Sequence, residues 1–238
     1  MRERPVRTVN VGVTAGVETT ICNPDWGKRV NAMERVIVPS TFVKATFERT
    51  GTLSNNGRDV SIIPESFIDE ILDDKIIPLS LDVSTKFNFL VVGQMTGRNS
   101  ESDRKNLFNL LKWFCESFRD DPDVGLILKT NNGRETKIDR MLTADVINQV
   151  LTAVRKGPYP AVHFVHGTLS DTEMAGLYKH PSIKAYVSLT RGEGFGLPTL
   201  EAAAAGIPVI TTNWSGHLDF LNLGRFVKLD FELHQIPK

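Results

Sequence analysis

The feature that most constrains this chain is an alternation. Short apolar runs rich in Val, Ile, Leu and Phe are separated by stretches whose apolar residues recur at helical spacing. Near-continuous apolar runs suit strands buried on both faces. Strands that alternate with helices imply a parallel sheet covered by crossover helices. The strand candidates are Thr8–Val13, Arg35–Val38, Asp59–Ile63, Phe87–Val92, Val124–Lys129, Ala161–Val165, Ala185–Leu189 and Pro208–Thr211. Helix candidates lie between them. Thr41–Thr50 follows Pro39-Ser40 and stops at Gly51. Asp103–Phe118 carries the stripe Leu107, Leu110, Leu111, Phe114 and Phe118. Ala144–Arg155 is ended by Gly157-Pro158. Ser170–Tyr178 opens with a capping box, Ser170 with Glu173 three residues on. Leu197–Ala205 is closed by Gly206.

The pattern breaks at Ser66–Ser84, a stretch rich in Asp, Pro and Ile with no clear period. It reads as a connection between domains. From Thr85 to about Val227 come five strands with intervening helices, one complete Rossmann-like domain. The part before the break has about three strands, too few for a second full domain of on the order of 100–150 residues.

Charge narrows the partners. Lys plus Arg and Asp plus Glu both number 28 in 238 residues. This balance argues against nucleic acid as a partner, while a peripheral membrane contact stays open. The two cysteines, Cys22 and Cys115, give neither a spaced metal cluster nor a disulfide framework. No signal-peptide pattern follows Met1, and no run of about 18 apolar residues is present. A soluble cytoplasmic protein is expected.

Chemistry concentrates between Lys184 and Asn213. A strand runs into Thr190-Arg191-Gly192-Glu193-Gly194-Phe195-Gly196, then into Leu197-Pro198-Thr199-Leu200-Glu201, an alanine run, Gly206 and another strand. Glycines allow a sharp turn and the close approach of a ligand. Pro198 suits the first helical turn, where its missing N–H is not needed. Such a turn aims N–H groups and a helix dipole at an anion, with phosphate the best fit. Glu201 sits about one turn into the helix, roughly 5–6 Å along its axis. There it would repel an adjacent phosphate but could accept two hydrogen bonds from a ribose diol, as acidic residues do in dinucleotide folds. Glu193 precedes the glycines and can reach the sugar end of a diphosphate.

The segment Glu193-Gly194-Phe195-Gly196-Leu197-Pro198-Thr199-Leu200-Glu201-Ala202 resembles the Glu-x7-Glu motif of the family 4 glycosyltransferases, which have the GT-B fold. The resemblance implies that Glu193 contacts the donor sugar and Glu201 the nucleotide ribose. The backbone of Gly194, Phe195, Gly196 and Leu197 would cradle the phosphates and sugar. Thr212-Asn213-Trp214-Ser215-Gly216-His217 resembles the loop after the next strand in the same family.

Two further segments agree. Phe87–Gln94 is a strand and loop leading to Arg104-Lys105-Asn106, basic residues at a helix entrance that suit an anion. The family pattern there is Gly-Arg after the strand and Lys at the helix start. Gly93 and Lys105 match it. Gln94 stands where Arg is usual, so either one charge-assisted contact is lost or Arg98 or Arg104 replaces it. Val162–Ser170, which includes the donor-binding candidate Thr168, resembles the loop that holds the base through backbone groups. His163 and His166 within it read as structural histidines, and His217 is a weak candidate at a phosphate-side loop. Gly12–Thr20, Met33–Lys44 and Ile62–Ser66 resemble the end of the acceptor-side domain and its linker.

The expectations are these. The fold is α/β: a Rossmann-like parallel sheet flanked by helices, the C-terminal donor-binding domain of a GT-B fold, plus a partial N-terminal α/β segment. Residues 1–70 are a remnant of the acceptor-side domain and linker, and residues 85–230 bind the nucleotide sugar. The resemblance implies a retaining transferase, truncated at its amino terminus. It would use a nucleotide diphosphate sugar as donor and a glycan, lipid or small molecule as hydroxyl acceptor. Lys105 and helix N–H groups would stabilise the departing diphosphate. Neither a metal nor a cofactor is implied. The alternative is a module that binds a nucleotide sugar without transferring it, or one subunit of a split transferase.

Overall fold

The computed structural model of the protein describes residues 9–16, 18–51, 59–95, 97, 99–154, 157 and 160–235. They form two compact units. One is drawn from Met1–Glu65, Gly192–Gly196 and Ser215–Asp219, the other from Ser66–Arg191, Leu197–Trp214 and Phe220–Lys238.

The first unit holds a three-stranded parallel sheet, β1 (Val11–Val13), β2 (Arg35–Val38) and β3 (Asp59–Ile62), in that spatial order. The helices are α1 (Pro24–Asn31) and α2 (Thr41–Arg49). Val36, Val38 and Val60 of the sheet pack with Val30 of α1 and with Val43 and Phe47 of α2. Helix α2 starts where Ser40 caps it, its Oγ accepting the Val43 N–H at 3.2 Å. Helix α1 was absent from the sequence-based expectation. Its start is nonetheless written in the chain: Asn23 accepts the Asp25 N–H at 2.9 Å, and Pro24 occupies the first turn. Only Gly27 and Val30 of its eight residues are buried, so it shows almost no apolar stripe. Thr8, the first residue of the expected strand, lies outside the described residues, and β1 begins at Val11.

The second unit is a six-stranded, wholly parallel sheet. Its strands are β4 (Phe87–Val92), β5 (Val124–Lys129), β6 (Ala161–Val165), β7 (Ile183–Ser188), β8 (Val209–Thr212) and β9 (Val227–Leu229). The spatial order is β6-β5-β4-β7-β8-β9. Counted from β4 this is 3-2-1-4-5-6, the doubly wound order whose switch point lies between its first and fourth strands. Helices α3 (Leu107–Ser117), α4 (Lys137–Val154), α5 (Asp171–Tyr178) and α6 (Leu197–Ala204) make the crossovers. One core joins Leu110, Leu111 and Phe114 to Leu126, Leu128 and Ile147. The other joins Leu90, Ile127 and Tyr186 to Leu177, Tyr178 and Ala202. A fully buried side chain such as Leu111 contributes roughly 1.5–3 kcal/mol.

Several boundaries differ from those expected, each for a local reason. Helix α3 starts at Leu107, not Asp103, because Asn106 adopts the left-handed conformation (φ 58°) and the buried Asp103 carboxylate takes the Leu107 N–H at 2.6 Å. Helix α4 begins at Lys137, two turns before Ala144. Its buried stripe opens with the polar pair Asp139 and Thr143, while Ile138, Met141 and Leu142 are exposed. Strand β7 begins two residues early, at Ile183. Strand β9 was not expected; it is three residues long and mostly exposed. The capping box of α5 is present as read, with Ser170 and Glu173 bonded reciprocally.

Residues Ser66–Ser84 carry no strand, only a short 3-10 turn at Asp69–Leu72. They are packed rather than loose. Ile71 is buried, and Phe67, Ile68, Ile76 and Leu79 lie on the second unit's core. The Leu79 N–H donates to the Gly176 carbonyl at 3.0 Å. Gly176 allows this approach, since a Cβ there would lie 2.6 Å from the Ile77 carbonyl oxygen.

Candidate functional site

In the second unit, β4 and β7 are neighbours at the switch point, so the segments leaving their carboxyl ends define the crevice where such sheets bind ligands. Gly93 follows β4 and donates its N–H to the Lys129 carbonyl at 3.1 Å. A Cβ on Gly93 would lie 3.7 Å from Lys105 Cγ, so the Lys105 methylenes run beside this glycine. Gly93 and Lys105 therefore come together as the sequence suggested. Arg104 and Lys105 are half-buried, and Gln94 is exposed. Arg98 lies outside the described residues.

The loop carrying Arg104 and Lys105 is tied to the end of β7. The Arg191 guanidinium donates to the Glu101 carbonyl at 2.7 Å and the Ser100 carbonyl at 2.5 Å. The Arg191 N–H reaches the Arg104 carbonyl at 3.0 Å, and the Asn106 amide reaches the Leu189 carbonyl at 3.0 Å. Arg191, read from sequence only as the edge of the motif, thus anchors the basic loop. No spacing rule could have shown this, because its partners are backbone carbonyls some ninety residues away.

Leu197 opens helix α6 and Pro198 lies in its first turn. Glu201, one turn on, is 7% exposed. The Tyr178 hydroxyl donates to Glu201 Oε2 at 2.9 Å and lies 3.3 Å from the Pro198 carbonyl. Burial pushes the Glu201 carboxyl above its ordinary range, the Tyr178 bond draws it back down, and Asp171 adds a further upward push. Burial also pushes the Tyr178 phenol well up, with Tyr186 and Glu201 acting in the same direction. Tyr178 therefore stays protonated and donates. Gly206 ends the helix segment with φ 78°, as a C′ glycine should. Of the alanines expected to slim the helix, Ala202 is fully buried while Ala203 faces solvent.

The glycine stretch Gly192–Gly196 belongs to the first unit, together with Ser215–Asp219. Here the glycines serve packing. A Cβ on Gly194 would strike the Ala15 carbonyl oxygen, one on Gly192 would lie 2.5 Å from the Glu18 carbonyl oxygen, and one on Gly216 would strike the Gly194 carbonyl. Ser40 Oγ donates to the Gly194 carbonyl at 2.6 Å. The Glu193 N–H donates to Ser215 Oγ at 2.8 Å, and the Gly216 N–H to the Glu193 carbonyl at 2.9 Å. Gly196 has φ 95°, with the Glu193 and His217 side chains against it. Glu193, Phe195 and His217 are all buried. At Gly192 and Gly194, and at Gly216 in the following loop, the protein's own backbone comes close.

Beyond β6, Thr168 is exposed. Lys129 donates to the Gly167 carbonyl at 2.5 Å, and its burial lowers the ammonium pKa against the pull of Glu135. His166 Nε2 lies 2.7 Å from Asp139 Oδ2, both nearly buried. His163 Nε2 lies 3.2 Å from Thr85 Oγ1; burial lowers its pKa and Asp82 opposes this. Both histidines are held by internal partners. Tyr178 and Lys129 are hidden in the sequence because each lies on an element whose apolar pattern explains its presence, and Asp139 because it lies ahead of the helix expected from Ala144.

Against known proteins, the family model for glycosyl transferases group 1 matches residues 102–226. The chain belongs to that family. A search of curated proteins finds no match. Among solved structures, the fold resembles the pneumococcal O-GlcNAc transferase GtfA in complex with UDP and GlcNAc (TM-score 0.53, 16% identity, 80% of this chain and 32% of that one). It also resembles an E. coli trehalose-6-phosphate structure bound with UDP-2-fluoro glucose (0.65, 9%, 92% and 56%). A third likeness is to Anabaena HepE in complex with UDP and glucose (0.60, 14%, 92% and 57%). The chain therefore spans 32% to 57% of the length of these proteins. At such identities the likeness shows the fold, the Rossmann-like α/β architecture of GT-B glycosyltransferases. Among the described residues, no helix is long and apolar enough to cross a membrane, and no group of three or more His, Cys, Asp or Glu is placed to hold a metal ion.

Proposed function

We propose that this chain carries the donor half of a retaining glycosyltransferase that moves a sugar from a nucleotide diphosphate sugar to a hydroxyl acceptor. The observation that carries the reading is the buried Glu201 carboxylate on α6, held by a tyrosine in a unit whose family model matches the surrounding sequence. Glu201 would accept hydrogen bonds from the ribose, and Lys105 beside Gly93 would meet the diphosphate. Arg104 would supply charge where Gln94 replaces the family's arginine. Glu193 would meet the donor sugar, the backbone from Gly194 to Leu197 the phosphates, and Thr168 the base. That three solved structures of similar fold hold UDP or a UDP sugar supports this choice of ligand. Chemically the protein's work is positioning and charge stabilisation of the departing diphosphate.

Titration calorimetry with uridine, adenosine and guanosine diphosphates tests the donor site. One of them should bind, and binding of none would overturn the reading. A second reading rests on the same residues, all of which address the donor: a module that holds the nucleotide sugar without transferring it. Donor hydrolysis or transfer to an acceptor panel separates the two. Turnover supports the transferase; tight binding with no turnover supports the module.

A further inference from the structure

Tyr178 ends helix α5 with its ring 1% exposed inside the second unit's core, among Leu177, Tyr186 and Ala202. A phenylalanine would bury the same ring. The hydroxyl therefore needs its own explanation, because a buried phenol normally has a partner. Its partner is Glu201 Oε2 at 2.9 Å, with the Pro198 carbonyl further off at 3.3 Å. A phenol has one proton to give, and the shorter, charge-assisted bond to the carboxylate takes it. Glu201 Oε1 receives no side-chain hydrogen bond among the described residues.

A carboxylate offers about four lone-pair sites. One is filled by Tyr178 on Oε2, which restrains the carboxylate and leaves sites on both oxygens. A 1,2-diol needs one acceptor on each. We infer that Tyr178 is a positioning residue that holds Glu201 turned so that its two oxygens meet the ribose diol. This rests on the reading of Glu201 as the ribose carboxylate.

The surroundings agree. Burial favours the neutral form of Glu201, and the Tyr178 bond opposes it. Asp171, which opens α5, pushes the same way as burial. Strand β7, also packed against α6, carries Tyr186, which acts on Tyr178, and the exposed Lys184. The 3-10 turn packed on α6 carries Asp69 and Glu70, and β8 carries no charged residue. Tyr178 is thus the donor that offsets burial and Asp171.

The test compares the protein with its Tyr178→Phe variant, using uridine, adenosine and guanosine diphosphates and their 2′-deoxy counterparts in calorimetry across pH. Tyr178→Phe should weaken the preferred ribonucleotide by roughly three- to tenfold. It should bring the ribo-to-deoxy affinity ratio toward one. It should also move the pH below which binding fails upward, because Glu201 then protonates earlier. On a Glu201→Ala background the same substitution should change nothing further. Replacing Tyr178 by 3-fluorotyrosine preserves the packing and strengthens the donor, so the pH edge should move down; this holds the inference to account even where the phenylalanine variant folds poorly. Unchanged ribose discrimination and pH edge in both variants would overturn the inference while leaving the donor site standing. Failure of the wild-type protein to bind any diphosphate would overturn both.

Discussion

The Glu-x7-Glu segment looks uniform on paper, yet its two halves are built differently. Its front, Gly192–Gly196, is close-packed backbone. Carbonyls of Ala15, Glu18 and Gly194 occupy the space that side chains on Gly194, Gly192 and Gly216 would need. Its rear, helix α6, is a scaffold for one carboxylate with one chosen donor. The difference teaches that one end of a glycine-rich motif can be fixed by internal packing while the other presents a buried carboxylate held by a tyrosine. Substitutions should therefore separate into losses of fold and losses of binding.

The largest effect is expected at Gly216. The Cβ of Gly216→Ala would be forced onto the Gly194 backbone, which has no flexible tip to move aside. Overpacking of this kind costs about 1–3 kcal/mol or more, and the backbone obstacle places it at the upper end. Thermal unfolding should show a drop of several degrees. An unchanged melting temperature would refute the packing account of the front half.

Glu201 should behave in the opposite sense. Glu201→Ala removes ribose contacts of roughly 1.5–3 kcal/mol, read as lost affinity for the free diphosphate. Glu201→Gln sharpens the point. Burial raises the carboxyl's pKa above its ordinary value, so the folded protein holds that proton more tightly than the unfolded chain. The resulting stability is present below the ordinary carboxylate range and lost as pH rises through the raised value. At neutral pH the neutral amide should therefore melt no lower than wild type, and higher if burial dominates, while ribose binding weakens. A lower melting temperature together with intact binding would show that Glu201 is structural.

Lys105 and Arg191 test how the basic loop is supported. Lys105→Ala should cost about 1–2 kcal/mol against a diphosphate and much less against a monophosphate. Arg191→Ala removes two bonds from an exposed guanidinium to carbonyls and should cost about 0.5–1.5 kcal/mol with the same discrimination. Equal losses for mono- and diphosphate would place Lys105 elsewhere than at the second phosphate.

How much of this was legible in the sequence follows from where the information lies. Strands Arg35–Val38, Phe87–Val92, Val124–Lys129 and Ala161–Val165 coincide with β2, β4, β5 and β6 because buried parallel strands write themselves as apolar runs. The start of α4 was hidden because Asp139 and Thr143 occupy its buried stripe, and Asp139 is satisfied by His166, a partner on another element. The pairing of Gly93 with Lys105 was legible as a loop-and-helix pattern. The Tyr178–Glu201 bond was not, because a tyrosine at the end of an apolar helix has the same pattern as a core residue. Long-range hydrogen bonds leave no period in the chain, so Arg191 and Lys129 show their partners only in three dimensions.

Gln94 gives the smallest and most pointed test. It follows Gly93 after β4, exposed, at the position where the family's pattern has arginine. If the diphosphate lies beside Lys105, Gln94→Arg should add a charge-assisted contact. At an exposed site such a contact contributes about 0.2–1 kcal/mol, a gain of up to about fivefold in diphosphate affinity. The gain should shrink as salt rises, since the Debye length falls from about 10 Å at 0.1 M to about 3 Å at 1 M. It should also vanish for the nucleoside, which has no phosphate to meet. A gain that survives high salt would point to packing rather than charge. No gain at any salt would mean that Arg104 already supplies the missing charge, and then Arg104→Ala should lose more on the wild-type background than on Gln94→Arg.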